Sequence, residues 1–115
     1  MCIRDRFYTY LSNATPLERT RAYVNVRFAK SNCPFSAYYQ LINITNRHES
    51  SHFKIGLTGT KPHALGAVLF ISNTAKSAEL IYDQVKRSGK RTSGASKCLV
   101  YQLSEFSKSI VKAAA

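Results

Sequence analysis

From Asn73 to Leu103 the chain reads NTAKSAELIYDQVKRSGKRTSGASKCLVYQL, and no other stretch restricts its fold as much. Ala78, Ile81, Tyr82 and Val85 recur at i, i+3, i+4 and i+7, which is one apolar helical face. Asn73 or Thr74 can cap the start of such a helix, and Gly89 sits where a left-handed C-cap belongs. Lys86 and Arg87 then fall in the last turn, where the helix dipole favours cations. The pattern predicts a central amphipathic helix over about 73–88, then a basic loop, then a strand running to Leu103.

Upstream, the alternation in AYVNVRFA (22–29) and the aromatic and β-branched residues of SAYYQLINIT (36–45) predict two strands. Helical spacing of Tyr38, Leu41 and Ile42 leaves a helix open for the second. Phe53, Ile55 and Leu57 alternate over 52–59 and predict a third strand, paired in a hairpin across the polar break NRHESS. Residues 60–66 read as a Pro-containing connection, and AVLFIS (67–72) as a buried strand. A short helix over about 104–113 closes the chain, capped by Ser104, with Phe106 and Ile110 inward. Residues 7–17 read as a poorly defined lead-in. The expected fold is therefore α+β: a small, mainly antiparallel sheet with both helices packed on one face.

Seventeen Lys+Arg against six Asp+Glu give 115 residues a net charge of +11. Residues 1–60 hold eight of the cations and 61–115 hold nine, so the charge decorates a folded surface rather than a tail. Such a surface attracts polyanions by field and counterion release. The densest run is 86–97, where Lys86, Arg87, Lys90, Arg91 and Lys97 stand among Ser, Thr and Gly with no acid between them. Flexible hydroxyls, amides and cations of this kind can follow a phosphate backbone. These five residues are the expected nucleic-acid contacts, with DNA ahead of RNA as the partner.

Length and composition indicate one globular domain. Cys2, Cys33 and Cys98 form no disulfide framework and no CxxC metal site, which fits a reducing, cytoplasmic setting and leaves a Cys33–Cys98 bridge open. No run is long and apolar enough for a membrane span, so no membrane partner is expected. Met1–Arg6, MCIRDR, resembles the translation of a transposon-end sequencing adaptor, as found at the start of metagenomic reading frames. On that reading these residues are not native, and residues 7–115 are a single small domain cut short at its N-terminus. Leaving out two Arg and one Asp still gives +10.

Two triplets resemble the GIY-YIG nuclease superfamily: Ala37-Tyr38-Tyr39 at the place of the first and Lys54-Ile55-Gly56 at the place of the second. The resemblance covers about residues 37–106, with Arg91 and the closing CLVYQLSEF included. It implies adjacent strands for the triplets, a catalytic Tyr39 and a metal-binding Glu79. Ala37 replaces the first Gly, Lys54 replaces the second Tyr, and TKPHALG stands where the family's arginine helix belongs. The resemblance thus implies an inactive or binding-only relative. Residues 64–103 are similar instead to a winged helix-turn-helix. That resemblance implies a supporting helix in ALGAVLFIS, a recognition helix presenting Asn73, Lys76 and Ser77 to bases, and a wing in 90–103.

His48-Glu49-Ser50-Ser51-His52 matches HExxH, whose histidines share a helical face and can hold zinc. Glu79 would be the third ligand in that alternative, a zinc peptidase. Polar turn chemistry around NRHESSHFK favours exposed histidines instead. No nucleophile–His–acid set and no Gly-rich nucleotide loop are legible. The expected function is phosphate-directed nucleic-acid binding without an asserted enzymatic activity, metal or cofactor. A basic structural or assembly protein is the further alternative.

Overall fold

The computed structural model describes residues 3–74, 76–84, 86, 89 and 94–114. The N-terminal residues form two helices, α1 (Ile3–Ser12) and α2 (Ala14–Thr20), in place of the ill-defined lead-in. Arg21 follows with φ 56° and caps α2 in the left-handed region. Ala22–Asn25 then makes a 3-10 turn, so the strand expected over 22–29 is absent.

The second expected strand is a helix, α3 (Pro34–Asn46). Pro34 sits in its first turn, where the missing N–H costs nothing and the fixed φ presets the helix. Tyr38, Leu41 and Ile42 do follow the helical period, and Thr45 satisfies its buried hydroxyl on the Leu41 carbonyl at 2.8 Å. Strand β1 (Phe53–Gly56) lies where alternation placed it.

Helix α4 (Lys61–Asn73) takes up both the expected connection and the expected strand AVLFIS. It is capped by Thr60, with Pro62 in its first turn. Gly66, Ala67, Leu69 and Phe70 are all buried, so the helix lacks the amphipathic stripe that would have marked it.

The largest correction is at the expected central helix. Residues Ala78–Ile81 form strand β2, which pairs in parallel with β1. Phe53 faces Ala78, Lys54 faces Glu79, Ile55 faces Leu80 and Gly56 faces Ile81. The sheet is thus two-stranded and parallel, not antiparallel. Parallel neighbours need a long crossover, and α4 provides it. Residues 98–102 belong to no helix or strand. The closing helix, α5 (Leu103–Ala114), matches its expected position. The α+β class holds.

Tyr38, Leu69 and Phe70 form the centre of the core. Ile55 and Ala78 reach it from the sheet, and Leu103, Phe106 and Ile110 from α5. Phe106 meets Phe35 at a tilt of 39° and 4.3 Å, and Tyr38 edge-on at 5.2 Å, between centroids. Offset and edge-on contacts of this kind add roughly 0.5–1.5 kcal/mol each to area burial. Gly66 lets α3 and α4 approach closely. A Cβ there would lie 2.4 Å from the Pro34 carbonyl oxygen and 2.8 Å from the Ala37 Cβ. Cys33 and Cys98 are free thiols, and no described helix is long and apolar enough to cross a membrane.

Candidate functional site

Because β1 and β2 are parallel, their carboxyl ends share one edge. The Leu57 N–H donates to the Ile81 carbonyl at 3.0 Å, which extends the ladder to that edge. There the chain turns through Leu57-Thr58-Gly59-Thr60 into the N-terminus of α4. In open α/β arrangements ligands collect at this place, because strand ends, turn amides and a helix dipole converge on it.

A cavity of about 310 Å³ opens here, lined among others by Arg27, Gln40, Ile55, Thr58, Gly59 and His63. An adjoining groove continues past Gly59 and His63 to Lys30, Ser31 and Asn32. The α3 side of the cavity is mostly apolar, through Ala37, Leu41 and Ile44, with Gln40 as its polar residue. One wall therefore offers apolar surface and the other offers donors and cations.

Three hydrogen bonds fix that polar wall. The Thr60 hydroxyl donates to the Ser31 carbonyl at 2.6 Å and accepts from the His63 N–H at 3.5 Å. His63 Nε2 lies 2.9 Å from the Lys30 carbonyl. A carbonyl only accepts, so Nε2 carries the proton and Nδ1 keeps its lone pair in the neutral ring. The Lys30 N–H in turn donates to Ser36 Oγ at 3.0 Å. Segment 30–32 is thereby tied to the first turns of both α3 and α4.

The turn itself is rich in unused donors. The backbone N–H groups of Thr58, Gly59, Thr60 and Lys61 have no acceptor among the described residues. Gly59 has His63 Nδ1 only 3.3 Å from where a Cβ would stand, so a side chain there would crowd the ring. Among the described residues Arg27, Lys30 and Lys61 have no carboxylate partner. Four consecutive amide donors, three unpaired cations and a helix N-terminus all favour an anion.

The residues singled out in the sequence fall in several places. Lys86 and Lys97 are exposed; Arg87, Lys90 and Arg91 lie outside the described residues, as does Val85. β2 ends at Ile81 on the same edge as the turn, so the approach to the basic run starts beside the cavity. Lys76 donates to Asn46 Oδ1 at 2.8 Å and Asn73 donates to the Leu69 carbonyl. Both are engaged within the fold, and neither lies on a recognition helix, because 78–81 is a strand. Tyr39 belongs to α3 and packs on Tyr38 and Phe106, while Glu79 pairs with His52 and Lys54. The first triplet of the nuclease resemblance is helical and only the second is on a strand.

HExxH is not helical. α3 ends at Asn46, and His48 to Ser51 form turns. His52 comes to 3.7 Å from Glu79, but no cluster of three metal-ligating side chains occurs among the described residues.

The turn was missed in the sequence although its signal is there. An alternating strand followed directly by Thr-Gly-Thr-Lys-Pro has a cap, a small residue and a proline at the first helical turn. No protein-family model, curated protein or solved structure matches the chain.

Proposed function

We propose that this domain binds nucleic acid through phosphate contacts, with the turn 58–61 as the seat and the basic run 86–97 as a flank. The observation that carries this reading is the row of four unpaired amide donors in the turn that ends at Lys61, with Arg27 lining the cavity and Lys30 lining the adjoining groove. A phosphate placed there accepts from the turn amides and sits on the positive end of α4, an arrangement contributing about 0.3–1 kcal/mol from the dipole alone. The apolar wall of Ala37, Leu41 and Ile44 gives an attached sugar or base a surface to lie against. An apolar wall beside phosphate donors suits a single strand, whose phosphates and bases are both reachable, better than a rigid duplex. The chemistry needed is recognition only, and no bond-breaking step is assigned to this edge.

Fluorescence anisotropy on labelled single- and double-stranded DNA and RNA, between about 50 and 200 mM salt, tests the reading. The expected result is single-strand binding that falls steeply with salt and weakens in Lys61→Glu. Charge reversal at Lys90 and Arg91 reports the contribution of the flank. Absence of binding at the lowest salt, or affinity indifferent to Lys61→Glu, would overturn it.

A further inference from the structure

The amino edge of the sheet carries a second constellation, built by the parallel register. His52 precedes β1 and Ser77 precedes β2, and the Phe53 N–H donates to the Ser77 carbonyl at 2.9 Å. Residues two apart on a strand share a face. His52 and Lys54 therefore stand on the same solvent side as Ser77 and Glu79, while Ala78 packs against the core and Phe53 is half-buried beside it. All four side chains are exposed.

Their distances form a chain. His52 Nδ1 lies 2.5 Å from Ser77 Oγ, and His52 Nε2 lies 3.7 Å from Glu79 Oε1. Lys54 Nζ holds the same carboxylate oxygen at 3.3 Å. The carboxylate charge favours one tautomer. With the proton on Nε2, the ring points an N–H at Glu79 and offers the Nδ1 lone pair to the Ser77 hydroxyl. The other tautomer would set a lone pair against an anion. A hydroxyl, a base and an orienting acid in this relation are the parts of an activated nucleophile, recognised by geometry rather than by order in the chain. The Ser77 N–H has no acceptor among the described residues, and it is the donor a developing oxyanion on the attacked group would meet first.

We propose that Ser77 is an activated nucleophile for acyl transfer from activated esters, with His52 as general base and Glu79 as the positioning residue. Ser77 Oγ forms a bond to the ester carbonyl carbon as its proton passes to His52 Nδ1. The ester C–O bond breaks, and His52 returns that proton to the departing alkoxide. Water then cleaves the acyl-serine by the same base, giving a carboxylic acid and the free hydroxyl. Glu79, with its carboxylate 3.7 Å from Nε2, stabilises the imidazolium by its charge. This site is independent of the phosphate-directed edge.

The test is labelling of the full chain by an alkyl fluorophosphonate, which forms an Oγ–P bond with loss of fluoride. Peptide mapping is expected to place the label on Ser77. Ser77→Ala is expected to lose it, and His52→Gln to slow it about 10²-fold, the usual contribution of a positioned base. Nitrogen-15 spectra of the His52 ring are expected to show the Nε2–H form, with the Nδ1–H form gaining in Glu79→Gln. Labelling at another residue, an unchanged rate in His52→Gln, or a His52 ring protonated on Nδ1 alone would overturn the proposal. The ring spectra and wild-type mapping decide it even if a variant fails to fold.

Discussion

Gly66 and Pro34 meet where α4 crosses α3, so closely that a single methyl group on Gly66 would lie 2.4 Å from the Pro34 carbonyl oxygen. The atom in the way is backbone, at the start of a helix, and has no rotamer to change. Gly66→Ala is expected to destabilise the fold by about 3 kcal/mol, the upper part of the range for overpacking. Ala is ordinarily the better helix former by up to about 1 kcal/mol, so a loss here isolates the steric conflict. Denaturant unfolding of the two proteins measures it, and an unchanged midpoint would mean that the helices are further apart.

Thr60 joins two tasks, capping α4 and holding the Ser31 carbonyl. Thr60→Ala is expected to cost about 1 kcal/mol from the cap, and to weaken oligonucleotide binding because segment 30–32 loses its tie at Ser31. Thr60→Ser keeps the hydroxyl and is expected to retain both. Thermal unfolding and anisotropy on the same three proteins separate the effects.

Counterion release makes the phosphate contacts countable. Lys61→Ala is expected to lower the slope of log affinity against log salt by about 0.7 for a single strand. Lys108→Ala is the control, since that lysine is on α5 and paired with Glu105 at 3.4 Å. Equal slopes for both variants would remove Lys61 from the interface.

Tyr38 links the core to alkaline stability. Burial first, and the neighbouring Tyr39 second, push its phenol above the ordinary 10.0. Between the unfolded and folded values the unfolded chain has released a proton that the folded chain retains. Stability from this group is thus complete below pH 10 and is lost as pH rises through the raised folded value. Tyr38→Phe is expected to flatten that loss, read from unfolding midpoints across pH 9–12 on both proteins. An equally steep decline in the variant would assign the effect to other tyrosines.

The parts of this fold legible in the sequence are those whose pattern and environment agree. Leu103, Phe106 and Ile110 share one helical face, and that face meets the core in α5. Phe53 and Ile55 alternate with exposed Lys54 in β1. Where neighbours in space decide, periodicity misleads. The Tyr and Ile residues of α3 have β-type propensity, yet Ala37 and Gly66 allow helix packing that overrides it. α4 is buried around much of its circumference, which removes the helical stripe. Ala78, Ile81 and Tyr82 fit a 3.6 period, but backbone pairing with β1 makes 78–81 a strand, and Ile81 and Tyr82 end exposed. The same pairing explains the sites. Contact between His52 and Ser77, or between Leu57 and Ile81, depends on a register that no local spacing announces.

That register also sets how the chain can change. One residue inserted inside 53–56 or 78–81 would turn every later side chain on that strand through half a revolution. It would leave the His52–Ser77 end in place and misalign the other edge, where Leu57 meets Ile81 and the chain turns into Thr58–Lys61. The same insertion between 86 and 97 falls beyond the last rung and leaves the ladder untouched. Four rungs thus act as a ruler shared by two surfaces, and length variation is affordable only past its ends.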